Sequence, residues 1–97
     1  MPITEFRGTE LTELGKVALI EFYTDWCPSC KAVKRTLEKF SEERDDIEVW
    51  GVNVDENPEL AKKIGIMSVP TFVVVKDGVI ERRAGGTKTI SELRALI

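Results

Sequence analysis

The 97-residue chain has no histidine and no glutamine, and it has only two cysteines. Without histidine, two cysteines supply half of a structural zinc site, which needs four ligands. No carboxylates are spaced to complete it, so no metal and no cofactor is expected. A zinc or cluster shared between two chains is the form a metal reading could still take. No apolar run approaches the 18 or more residues needed to span a bilayer, so no membrane association is expected. Lysine and arginine number 14 against 17 acids, for a net charge of −3. The charges are interspersed, with no basic stripe, and this argues against a nucleic-acid partner. The first residues, MPITEFRGTELTE, show neither a basic start nor an apolar h-region, so the expected compartment is the cytoplasm. Asparagine occurs only at Asn53 and Asn57. With glutamine absent, the composition leans toward a thermophile's and equally toward chance in a short helical chain.

What is present suits one domain spanning residues 1–97, with 42% apolar residues, enough for a core without staples. Ile3 to Arg7 reads as a short first strand. Thr9 to Leu14 reads as a short helix, capped by Thr9 and followed by Gly15. VALIEFY, 17–23, is dense in β-formers and reads as a buried strand. Pro28 to about Glu43 is helical, with Cys30, Val33, Leu37 and Phe40 recurring on one face. IEVWGVNV, 47–54, is a third strand. Asn57 is expected to cap a helix that begins at Pro58 and ends near Gly65. TFVVVK, 71–76, and VIERRA, 79–84, form a hairpin through Asp77-Gly78. Thr89 or Ser91 starts a last helix. The alternation gives an α/β fold with a mixed sheet and helices on both faces.

The two cysteines sit together in TDWCPSCK, 24–31. A structural staple closing so short a loop gains only roughly 2 kcal/mol in the chain-entropy model, against about 4.7 for a hundred-residue loop. A working redox pair fits the setting, because the motif follows a strand and opens a helix. The helix start offers unpaired N–H groups and positive potential, which stabilise a thiolate. Lys31 adds to that potential and Asp25 opposes it. Cys30 continues the apolar stripe and faces the core. Cys27 lies off the stripe at the cap and is expected to be accessible. Cys27 is therefore expected to attack a partner's disulfide and Cys30 to resolve the mixed disulfide.

IEFYTDWCPSCK, NVDENPELAKKIGIMSVPTFVVVKDG and the later AGG together resemble the thioredoxin family over nearly the whole chain. The resemblance implies a central mixed sheet of about five strands flanked by four helices. It implies an enzyme that reduces protein disulfides, with disulfide-containing proteins as substrates and a thioredoxin reductase as electron donor. A monomer is the expected state. By the same resemblance Trp26 is the tryptophan before the nucleophile, and Pro70 is a cis-proline beside the disulfide. Val69 presents the backbone that pairs with substrate, and Gly85 keeps the groove open. With Pro28, Met67 and Ala84 these residues outline an apolar docking surface.

Glu21 is the one charge in VALIEFY. Either it reaches solvent or a lysine, or it is a buried acid of raised pKa that moves protons to and from Cys30. The resemblance favours the second reading, since Glu21 falls where the family has a buried aspartate. Two departures stand out. The intervening dipeptide is Pro28-Ser29 rather than Gly-Pro. Gly51 occupies a place where many relatives carry a lysine near the acid, which would leave the carboxyl's pKa higher still. Rival readings are glutaredoxin-like chemistry, suggested by CPxC and Gly85-Gly86, and disulfide oxidase or isomerase activity. A redox-inert partner-binding module is the rival outside enzymology.

Overall fold

A computed structural model describes residues 3–6 and 16–97. Its elements are β1 (Thr4–Glu5), β2 (Val17–Tyr23), α1 (Pro28–Glu43), β3 (Glu48–Asn53), α2 (Pro58–Ile64), β4 (Thr71–Lys76), β5 (Val79–Gly85) and α3 (Ile90–Leu96). The described residues thus hold five strands and three helices. The fourth helix expected from sequence falls on 9–14, outside the described residues. The first strand is shorter than the Ile3–Arg7 expected, and β3 starts one residue later and ends one residue earlier.

The strands form one sheet in the order β1-β3-β2-β4-β5. The β1–β3 and β3–β2 pairs are parallel, while β2–β4 and β4–β5 are antiparallel. β2 is central and covered on both faces, which is why its sequence is a continuous apolar run rather than an alternating one. Alternate residues still divide between two cores. Ala18, Ile20, Phe22, Val73 and Val75 pack toward Leu60 and Ile64 of α2. Leu19, Phe72 and Val74 pack toward Val33, Leu37 and Phe40 of α1 and Leu93 of α3. Helices therefore lie on both faces, as expected. Each fully buried leucine or phenylalanine contributes about 1.5–3 kcal/mol.

Local chemistry explains the element ends. Asp77 and Gly78 both take positive φ, 51° and 80°, the pairing that a two-residue type I′ hairpin requires. Gly65 closes α2 at φ 84°, donating its N–H to Ala61 and Lys62, a left-handed cap that favours glycine. Thr89 and Glu92 form a reciprocal capping box at the start of α3. Asn57 precedes Pro58 as expected, but its side chain makes no capping bond. It donates instead to the Asn53 carbonyl at 3.0 Å. Asn53 in turn accepts from the Asp55 and Glu56 amides, so this turn is organised from the residue at its start.

Candidate active site

The topology gathers the site at one edge of the sheet. The C-terminal ends of the parallel strands β2 and β3 lie side by side, with Tyr23 opposite Asn53. Antiparallel β4 begins at that edge, with Thr71 opposite Phe22, and β5 ends there, with Gly85 opposite Thr71. The β2–α1 loop carrying Trp26 and Cys27 therefore shares this edge with Val69-Pro70 and with Gly85-Gly86. The Val69–Pro70 peptide is cis, as the resemblance implied. The Pro70 carbonyl accepts the Gly86 N–H at 2.9 Å, tying the two loops together. A Cβ at Gly85 would meet nothing within 4 Å, so the surface above it is open. Trp26 and Met67 stand out from this edge, 69% and 96% exposed, and Pro28 is exposed beside them. Large apolar side chains left in water at one place mark an interaction surface. Trp26 is steadied by its indole N–H, which donates to Asp55 at 3.0 Å.

Cys27 is the N-cap of α1, and Pro28 occupies the first helical position. Pro28 suits that place because its missing N–H is one the helix could not pair there. The Cys30 backbone N–H donates to the Cys27 sulfur at 3.1 Å, and the Ser29 hydroxyl lies 3.4 Å from it. A sulfur so placed accepts one of the helix's orphan donors, which favours its thiolate form. The two cysteines are joined as a disulfide, with their Cα atoms 5.3 Å apart. While bonded to each other they leave no thiolate for a metal.

One expectation is corrected. Cys27 is no more exposed than Cys30, since both are at 4%. In the disulfide form the Cys27 sulfur lies at the first turn of the helix, bonded to Cys30 and 3.4 Å from the Ser29 hydroxyl. The asymmetry of the pair lies in what each sulfur faces. Cys27 faces the helix N-terminus, whereas Cys30 lines a cleft of about 180 Å3 behind it, together with Glu5, Glu21, Tyr23, Thr24 and Lys34.

Glu21 is buried, at 4% exposure. Its Oε2 and the Thr24 hydroxyl are the buried side-chain polar atoms left without a hydrogen-bond partner among the described residues. Burial pushes its carboxyl up to about 7. The Lys34 ammonium opposes that shift, and the Glu5 carboxylate adds to it. A glutamate reaching into open solvent does not fit this burial; the side chain is a buried acid that shares a cleft with Cys30 and feels the charge of Lys34. Sequence reasoning missed its neighbours Glu5 and Tyr23, and also Asp55 beneath Trp26. The VD of the NVDENPEL stretch carried Asp55 within a recognised pattern. Glu5 and Tyr23 are 18 residues apart and gave no local signal.

Comparison with known proteins adds to this geometry. A sequence model of the family described as thioredoxin matches residues 4–97. The chain is similar to a thioredoxin of Bacillus subtilis, 38% identical over 82 residues that cover 84% of this chain and 79% of that one. It is also similar to a thioredoxin of Alicyclobacillus acidocaldarius, 33% identical over 98% of this chain and 91% of the relative. Among solved structures, a mutant thioredoxin from Halobacterium salinarum superposes with a TM-score of 0.91. It is 33% identical, over 99% of this chain and 88% of that one. Oxidised mitochondrial thioredoxin 3 from Saccharomyces cerevisiae superposes with a TM-score of 0.85 at 32% identity, covering 98% and 92%.

Proposed function

The chain belongs to the thioredoxin family, and on that premise we propose how its cysteine pair works as a thiol–disulfide oxidoreductase. The Cys27 thiolate attacks a sulfur of a substrate disulfide. A mixed disulfide forms, and the first substrate thiolate leaves. Cys30 then loses its proton and attacks the Cys27 sulfur. The second substrate thiolate leaves, and the Cys27–Cys30 disulfide closes. Two electrons pass to the substrate, and two protons follow. The observation that carries this assignment is the Cys30 N–H aimed at the Cys27 sulfur at 3.1 Å. It stabilises negative charge on Cys27, both when that sulfur attacks and when it leaves.

Glu21 is the group proposed to take the Cys30 proton. It shares the cleft with Cys30, and its proton affinity near 7 suits transfer in either direction at neutral pH. The cleft is roomy enough to admit water, which gives that proton a route out. Trp26, Pro28, Val69, Pro70 and Gly85 are proposed as the docking surface for an extended segment of the substrate protein, with Val69 pairing through its backbone. Disulfide-containing proteins are the substrate class of the family, and a thioredoxin reductase is the proposed electron donor. We further propose that the protein acts as a monomer in the cytoplasm. No helix among the described residues is long and apolar enough to cross a membrane.

The test is reduction of a protein disulfide by the purified chain, recharged by a thioredoxin reductase, together with its redox potential. Turnover with the reductase and a potential in the reducing range near about −270 mV support the proposal. Failure to accept electrons from any such reductase, with a potential near about −120 mV, identifies a disulfide oxidase instead.

A further inference from the structure

The cleft behind Cys30 holds a row of residues that the sulfur chemistry leaves unused. β1, β3 and β2 are in register there, with Glu5 opposite Gly51 and Gly51 opposite Glu21. Residues in register share a face of the sheet. Two carboxyl-bearing side chains therefore flank a glycine, with their strands about 9.5 Å apart, twice the spacing of neighbouring strands. Gly51 contributes no side chain to separate them. A Cβ there would lie 3.1 Å from Glu5 Oε2 and 3.2 Å from the Tyr23 ring, so the space above the glycine is already taken by those two groups. Tyr23 stands two residues after Glu21 on the same face. Its hydroxyl donates to both Glu5 oxygens, at 2.6 and 2.8 Å. Burial and this bond raise the Tyr23 pKa, so the phenol stays a donor throughout the working pH range.

Among the described residues, the charged and titratable groups around Glu21 are few. β1 presents Glu5 and β2 presents Tyr23. α1 presents Cys30, Lys31 and Lys34, and the β2–α1 loop presents Asp25. β3 and β4 place Gly51 and Phe72 beside it, neither of them charged. Glu5 is the one anion in this set held by a clamp, and Lys34 stands against it.

We propose that Glu5, fixed by Tyr23 over the bare backbone of Gly51, is a positioning residue for the exchange. Its charge adds to burial in keeping the proton on Glu21 and so raises the pH at which Cys30 can give its proton up. This inference rests on the proposed role of Glu21 as the proton acceptor. In the resolving step the Cys30 thiol proton passes to the Glu21 carboxylate, and the freed electron pair forms the bond to the Cys27 sulfur. The bond from Cys27 to substrate breaks, and the substrate leaves as a thiolate. Glu5 takes no part in the bonds, because it acts on the fraction of Glu21 that is free to accept.

The experiment uses oxidised and reduced full-length protein. The Glu21 carboxyl is titrated by carbon NMR, and the pH profile of disulfide reduction is measured alongside. Glu5→Gln keeps an oxygen to accept from Tyr23 and removes the charge. The Glu5 carboxylate leans over Gly51, so its charge lies between one and two strand spacings from Glu21, about 5 to 9.5 Å. With effective dielectric between about 20 and 80, its removal lowers the Glu21 midpoint by roughly 0.3 to 2.4 units. The acid limb of turnover should move down by the same amount. Tyr23→Phe, which releases the clamp, should move both in the same direction. A midpoint that stays within about 0.1 unit in both variants overturns the inference. So does a midpoint that moves while the acid limb stays. Glu21→Gln separates the two readings. If it leaves the pH profile of wild type unchanged, the proton-acceptor role itself fails. If it removes the acid limb and Glu5→Gln does not shift it, only the role of Glu5 fails.

Discussion

Raising the pH from about 4 to 8 should destabilise the oxidised protein through Glu21 alone, by an amount the structure sets. The carboxyl is buried, with one oxygen unpaired, and its pKa rises from 4.5, the ordinary value for a glutamate in water, to about 7 in the fold. The folded state therefore binds this proton more tightly than the unfolded state does. Below about 4.5 both states are protonated, and Glu21 weighs nothing against the fold. Between 4.5 and 7 the unfolded chain ionises while the folded one does not, so stability falls as pH rises. Above 7 both are ionised, and the loss is complete. The gap of about 2.5 units at about 1.4 kcal/mol each gives a loss of roughly 3 kcal/mol. For a domain of this size that is a large share of the usual 5–15 kcal/mol. The assay is urea unfolding of wild type and Glu21→Gln across this range. The variant's amide does not titrate, so the difference between the two curves isolates the residue. The variant should gain on wild type by about 3 kcal/mol between pH 4 and 8, with the steepest change at about 5–7. Surface pairs act with the opposite sign and cancel in the difference. Arg94 holds the Glu43 carboxyl below its usual range and Arg44 does the same for Asp46, so both contributions are lost toward acid. A difference curve flat with pH would refute the claim that Glu21 is buried with a raised proton affinity.

Two further outcomes test the frame and the docking edge. Thr89→Ala removes the acceptor for the Glu92 amide at the start of α3 and should cost about 1 kcal/mol, lowering Tm by about 4–8 °C in a thermal melt. Asp55→Ala frees the Trp26 indole, which donates to it at 3.0 Å. Steady-state kinetics with a protein disulfide should show KM raised about fivefold, the equivalent of one hydrogen bond of about 1 kcal/mol, with kcat little changed.

The sequence was informative where a structural choice is made within a few neighbouring residues. VALIEFY and TFVVVK gave β2 and β4 with their observed bounds, because a short run of β-formers bounded by polar or turn-forming residues has few alternatives. Asp77-Gly78 gave the hairpin, because few other pairs accept two positive φ values in a row. The Cys27–Cys30 pair and its place at a helix start were equally local. Choices made by distant partners were less legible. Asn57 has the residue type of a cap, yet its side chain turns to the Asn53 carbonyl, because the Asn53 turn organises that loop. The equal burial of Cys27 and Cys30 accompanies a closed disulfide, a contact that a helical-face argument does not contain. Glu5 meets Tyr23 only because β1 and β2 both pair with β3 around Gly51. No local pattern encodes that row. The environment of the buried acid was therefore the part of the site that required the structure.

The division of labour between the cysteines can be read directly by trapping. Reduced Cys30→Ser and Cys27→Ser variants are each mixed with a protein disulfide, and the covalent products are mapped by mass spectrometry. Cys30→Ser should accumulate a mixed disulfide through Cys27, since attack is retained and resolution is lost. Cys27→Ser should accumulate little. A mixed disulfide forming through Cys30 in Cys27→Ser, as fast as the Cys27 adduct forms in Cys30→Ser, would contradict the account.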